Sequence, residues 1–171
     1  MENLAKKLYL DELSRISPCT EAEAETLIPK AVSGDTDAIS RLIEGNLFRV
    51  AEAAGFYDTD DSLYSDLVQE GNLALIQEIH ALEAYSENYG DSLDAAIAKA
   101  MQNYRDQEEK ETRAAEELKT TLNVLDEVCV RLSETLGTEP TAEEVGEKMK
   151  MDPEDVKYLM RIALSAVKKE T

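Results

Sequence analysis

Apolar residues recur along this chain at the three- and four-residue spacing that is typical of α-helices. Glycine and proline are scarce and fall at the boundaries between the periodic segments, while Ala, Glu, Leu and Lys fill their interiors. We therefore predict an all-α protein, a helical bundle followed by a small three-helix unit.

The first helix is predicted over residues 4–16, with Leu4, Leu8 and Leu13 facing inward. Pro18 is expected to end it, because proline cannot continue the hydrogen bonding of a helix.

Two capping boxes mark later helix starts. Thr20 with Glu23, and Thr141 with Glu144, have the spacing at which a hydroxyl and a carboxylate satisfy free helix amides reciprocally. Between them, Gly34 and Asp35 predict the end of one helix and the start of the next, over residues 35–55.

The helix predicted over residues 63–79 has two unlike faces at 100° per residue. The apolar arc consists of Leu67, Val68, Gly71, Leu75, Ile79 and Leu82. The opposite arc consists of Asp66, Gln69, Glu70, Leu73 and Gln77. An exposed leucine ringed by polar groups suits a protein partner. Periodicity alone also permits a solvated face with one stray leucine.

A long last helix is predicted from about Ser92 into the charged run 108–117, which we interpret as a solvated helix that continues into a tether. A second unit starts near residue 120. The predicted domains are therefore 1–115, a helical domain, and 116–171, a linker helix with a three-helix unit.

Charge makes nucleic acid an unfavourable partner. Asp and Glu outnumber Lys and Arg by 37 to 18 over 171 residues, for a net charge of −19. No segment is basic, and phosphate affinity comes largely from lysine and arginine.

Several sequence features that would indicate a membrane protein, a secreted protein or an enzyme are missing. It has no run of about 18 apolar residues and no secretory signal at its start, so we expect a cytoplasmic protein without membrane contact. Cys19 and Cys129 lack metal-ligand spacing and are expected to be reduced thiols. His80 has no nucleophile pattern near it, and no phosphate loop is present, so we expect no enzyme activity, cofactor or metal.

Three ordered blocks of the sequence are distinctive: YLDEL at 9–13 with TEAE at 20–23, residues 34–50, and DLVQEGNLALI at 66–76. Together they resemble the sigma-70 family of bacterial RNA polymerase sigma factors. The first block resembles the start of the family's core domain, the second is similar to its G-D-x-x-A and L-I-x-x-N-L-R-L-V blocks, and the third resembles its signature.

The resemblance implies a partner. In the family, the helix with this signature binds the clamp coiled coil of the largest subunit of RNA polymerase core. The residues expected to make this contact are Asp66, Gln69, Glu70, Asn72, Leu73 and Gln77.

Residues 136–160 resemble the three-helix unit that follows the sigma core domain. The family's helix-turn-helix for the distal promoter element does not follow within these 171 residues, so we expect a truncated member.

The DNA-facing helix departs from the family pattern. Aligned on Gly90, the family's phenylalanine, tyrosine, two tryptophans and arginine become Leu93, Ala96, Lys99, Ala100 and Gln102. Leu93, Ile97 and Met101 keep helical core spacing. The scaffold is thus expected to remain while base-stacking chemistry is lost.

Remaining candidates for weak DNA contact are Tyr85, Tyr89 and Lys99, with Tyr104 nearby. Tyrosines at a helix end are more often packing residues than stacking platforms.

The sequence thus predicts a sigma-like transcription protein that binds polymerase core and opens promoters poorly or not at all. The alternative is an acidic interaction module, an adaptor or decoy that binds an anti-sigma-type protein or its own copy, without polymerase or DNA.

Overall fold

The computed structural model describes residues 4–57 and 61–167, which form seven α-helices and no strand. The all-α prediction is confirmed. The helices are α1 Leu4–Leu13, α2 Glu21–Val32, α3 Thr36–Gly55, α4 Asp61–His80, α5 Tyr89–Leu136, α6 Ala142–Met149 and α7 Pro153–Val167.

The chain divides into two compact units between Glu108 and Glu109, within α5. We call them unit 1 and unit 2. The helix is unbroken where the sequence suggested a tether, and residues 106–120 are all exposed. The charged run is therefore helical and buries nothing.

Side-chain caps explain where the helices begin. The carboxylate of Asp35 accepts hydrogen bonds from the amides of Asp37 and Ala38, and Thr141 forms the predicted capping box with Glu144. The Thr20 hydroxyl caps α2 as predicted, accepting from the amide of Glu23. These caps satisfy amides that the first turn leaves without partners.

The carboxylate of Glu23 does not close the predicted box at Thr20. It forms a two-pronged ion pair with Arg41 of α3, with both N–O distances at 2.8 Å. A bidentate guanidinium outcompetes a single backbone amide because both partners are charged.

Helix α1 packs on the side opposite to that predicted. Leu4 and Leu8 are each 59% exposed, whereas Leu13 is buried as expected and Tyr9 is half-buried. Tyr9 lies on the Leu13 side of the helix, about 140° from Leu4. The prediction for Leu4 and Leu8 is wrong. The spacing of apolar residues shows which side chains share a face of the helix, but it does not show which face packs against the other helices.

The core of unit 1 is formed by α2, α3, α4 and the first part of α5, and α1 adds the partly buried Tyr9. Its largest fully buried aliphatic side chains are Ile28, Leu42, Val50, Leu67, Leu75, Ile79, Leu93, Ile97 and Met101. The predicted core spacing at Leu93, Ile97 and Met101 is confirmed. Tyr64 is also buried, and its hydroxyl has no hydrogen-bond partner.

A buried polar network ties α3 to the start of α5. The Asn46 amide nitrogen donates to the Leu42 carbonyl and the Tyr89 hydroxyl, and its oxygen accepts from Tyr89 and from Arg49 Nε. The other end of the Arg49 guanidinium pairs with Asp94 at 2.7 Å. Burial raises the pKa of Tyr89, so the phenol stays protonated.

Asn46→Ala is expected to lower the free energy of unfolding of unit 1 by about 2–3 kcal/mol, because the Tyr89 hydroxyl and Arg49 Nε lose their shared acceptor. Urea denaturation followed by tyrosine fluorescence measures this, since six of the seven tyrosines precede Glu108. Asn103→Ala, at an exposed position of α5, is the control. A loss no larger than that of the control would contradict the importance of the network.

Unit 2 has its own small core. It is formed by Leu125 of α5, Ala142 and Val145 of α6, and Val156 and Leu159 of α7. Asp152 caps α7 by accepting from the amide of Glu154, and Gly137 takes a φ of +70° just after α5. A left-handed residue there stops the helix, which glycine does without steric cost.

Candidate functional site

Helix α4 carries the candidate site on its outward face. Its inward face packs into the core of unit 1 and so fixes where the outward face lies. The inward face of α4 is buried within unit 1 and consists of Tyr64, Leu67, Val68, Gly71, Leu75 and Ile79. At Gly71 a Cβ atom would overlap Met101 Cε and lie 2.8 Å from Val50 Cγ1. The glycine therefore lets α4 approach α3 and α5 closely.

The outward face of α4 is a mixed strip. Gln69, Leu73 and Gln77 are exposed, and Leu73 has half of its area accessible. Asp66 and Glu70 are half-buried at one edge. The structure thus brings these five predicted residues to one side of the helix.

Ile76 belongs to this strip but was absent from the prediction. It is 36% exposed and lies three residues after Leu73, so the two aliphatic side chains are neighbours on the helix surface. The same helical geometry could have identified it. We call Asp66, Gln69, Glu70, Leu73, Ile76 and Gln77 the α4 surface.

Asn72 lies apart from the α4 surface. It is half-buried, and its side-chain oxygen accepts a hydrogen bond of 3.3 Å from the Tyr9 hydroxyl of α1. In the structure Asn72 fixes α1 against α4, and its predicted contact with a partner stays a prediction.

One edge of the α4 surface is strongly acidic. The carboxylate of Asp66 lies near the Tyr104 hydroxyl, and Glu108 and Glu70 are also close enough to act on it. Partial burial, together with the charge of Asp66, raises the pKa of Tyr104. The phenol thus remains a donor, and a negative potential surrounds its ring.

The candidate DNA-contacting residues differ in their exposure to solvent. Tyr89 is only 6% exposed, with its hydroxyl bonded to Asn46, so its ring is not open to stack on a base. Tyr85 is half-buried, and its pKa is raised by burial and by the nearby charges of Glu25 and Glu21. Lys99 is exposed on α5.

Within the described ranges, no group of His, Cys, Asp and Glu side chains is arranged to hold a metal ion. Nor does any helix of the described chain combine the length and apolar character needed to cross a bilayer. Burial raises the thiol pKa of both Cys19 and Cys129, which keeps these thiols protonated at neutral pH.

Comparison with known proteins gives consistent matches. Residues 120–170 match the family model for sigma-70 region 3. The chain is 33% identical over 170 residues to the RNA polymerase sigma factor SigA of Bacillus sp, and 30% identical over 167 residues to SigA of Listeria monocytogenes. Each alignment covers 96% of this chain and 44% of the relative, so the chain spans less than half the length of these proteins. The resemblance to the sigma-70 family that the sequence predicts is therefore confirmed.

Proposed function

We propose that this chain binds RNA polymerase core through the α4 surface and acts as a sigma-like transcription protein with weak or absent promoter melting. The observation that carries the proposal is the exposed aliphatic pair, Leu73 and Ile76, flanked by polar groups on a helix whose other face is core. Relatives named as RNA polymerase sigma factors support it.

Each part of the α4 surface has a distinct task in this proposal. Leu73 and Ile76 supply apolar contact, which favours association when it is removed from water. Gln69 and Gln77 supply directional hydrogen bonds. Asp66 and Glu70 favour a basic partner surface and speed its approach.

The DNA-facing part of α5 supports the second half of the proposal. Leu93, Ile97 and Met101 are buried in the core. The positions that face outward carry Ala96 and Lys99 in place of aromatic rings. Without stacking platforms a strand-separating protein loses about 1–3 kcal/mol for each base. We infer a binding protein of the cytoplasm and assign it no catalytic step.

An interaction module without polymerase contact is the second candidate. The net charge of −19 favours it over any DNA-binding function, and an anti-sigma-type protein or a second copy would then contact α4. The same experiment separates the two candidates.

The test is a pull-down with purified polymerase core, followed by a titration of labelled chain. Gln69→Ala combined with Glu70→Lys is expected to weaken binding about 10-fold or more, because a hydrogen bond is lost and a charge is reversed at the centre of the contact.

The matched control is Glu52→Lys, an exposed position of α3 that receives the same charge change. It is expected to leave the affinity within about twofold. Absence of binding by the unaltered chain would reject the polymerase proposal and favour the interaction module.

A further inference from the structure

An open groove runs along unit 2 between the C-terminal half of α5 and α7. Its volume is about 690 Å³. On α5 it is lined from Leu122 to Glu134, and on α7 by Met160, Ala163 and Leu164. All of these residues belong to unit 2, and the groove is separate from the α4 surface.

The groove is long enough to hold a helix. Leu122 and Glu134 are twelve helical steps apart, or about 18 Å, which equals about three turns. The lining positions on α5 recur at three- and four-residue intervals, as do those on α7. Two such rows side by side are what a third helix packs between in a bundle.

Aliphatic side chains remain accessible in the groove. Val130 is 51% exposed and Leu164 is 65% exposed, and both line it. Single exposed aliphatic residues are ordinary on protein surfaces, but a contiguous set within one concave site indicates binding.

Among the described residues, the charged side chains that line the groove are Asp126, Glu134 and Glu139, all of them acidic. The charges of Asp126 and Glu139, after burial itself, help to raise the pKa of Cys129 at the groove. Because Asp126, Glu134 and Glu139 are exposed, they give the described rim of the groove a negative potential.

This charge selects among possible occupants. Nucleic acid is disfavoured, because its phosphates would meet the carboxylates of Asp126, Glu134 and Glu139. A second copy is disfavoured by the repulsion between two chains that each carry a net charge of −19.

We propose that the unit 2 groove binds one amphipathic α-helix of a partner protein, with aliphatic side chains in the groove and lysine or arginine residues facing its acidic rim. Helix-in-groove recognition of this kind uses anchors at positions i, i+3 or i+4, and i+7.

The probe is a fluorescein-labelled alanine-based helical peptide of 18 residues, with leucines at those anchor positions and lysines flanking them. A second peptide carries glutamate in place of every lysine. We expect the basic peptide to bind the full chain in the micromolar range by fluorescence anisotropy, and the acidic peptide to bind at least about 10-fold more weakly.

Variants assign the binding to the groove. Asp126→Lys with Glu134→Lys is expected to weaken basic-peptide binding about 10-fold or more, and Leu164→Glu to do the same by removing an exposed anchor. Glu116→Lys with Glu117→Lys makes the same charge change on the same helix outside the groove and is expected to stay within about twofold. Circular dichroism verifies that each variant is folded.

Three results would overturn the proposal. The first is no binding of the basic peptide, and the second is equal loss in the Glu116 and Glu117 control, which would show that charge alone attracts the peptide. The third is self-association of the free chain that Leu164→Glu abolishes, which would assign the groove to a second copy.

Discussion

Gly71→Ala is expected to destabilise unit 1 by about 1–3 kcal/mol, although alanine is the better helix former. Helix propensity alone would favour alanine by about 1 kcal/mol. The new Cβ would overlap Met101 Cε and lie 2.8 Å from Val50 Cγ1. Met101 can move its flexible end, but the branched Val50 cannot turn away within α3, so α4 has to shift outward.

Urea denaturation followed by tyrosine fluorescence measures the effect, and Gly71→Leu is expected to lower stability further. Gly55→Ala is the matched control, because the nearest atom to its added Cβ is Lys6 Nζ at 3.6 Å, an ordinary contact. The control is expected to be neutral or slightly stabilising. Equal stability of Gly71→Ala and the unaltered chain would show that α4 has room to adjust.

Restoring aromatic rings to α5 is expected to create affinity for single-stranded DNA. Ala96→Tyr with Lys99→Trp places two rings at the positions where the family pattern carries a tyrosine and a tryptophan. Lys99 is exposed and Ala96 is half-buried, so both rings can be presented outward. Stacking contributes about 1–3 kcal/mol per base, so we expect the affinity to rise at least 10-fold in spite of the lost lysine charge.

The measurement is a fluorescence titration with a labelled single-stranded oligonucleotide at low salt. Ala115→Tyr with Lys119→Trp, both exposed on α5, repeats the exchange away from this site and is expected to change nothing. Sub-micromolar affinity of the unaltered chain would instead show that its acidity does not prevent DNA binding.

The sequence predicted the faces of α4 well because that helix is long and its apolar arc is continuous. The same reasoning failed at α1, where the short mixed-charge helix offers two apolar faces and the hydrogen bond from Tyr9 to Asn72 favours one of them. Tyr9 and Asn72 are 63 positions apart in the sequence, so the local pattern of apolar residues cannot show their contact.

Tertiary ion pairs also escaped prediction. Glu23 matched a local capping pattern, yet its carboxylate bonds Arg41 on the next helix. The unit 2 groove could not be foreseen for the same reason. Each lining residue looks like an ordinary helical position, and only the spacing of α5 and α7 makes them one site.

The exposed segment of α5, residues 106–120, has a consequence for cooperativity. With nothing buried, about fifteen residues of helix would be marginal in water on their own. The segment persists because folded structure on each side supplies a nucleus, with Met101 anchoring one end and Leu125 the other. Helix propagation is thus expected to link the stability of the two units. Faster hydrogen exchange at the backbone amides of residues 106–120 would then report the unfolding of either unit.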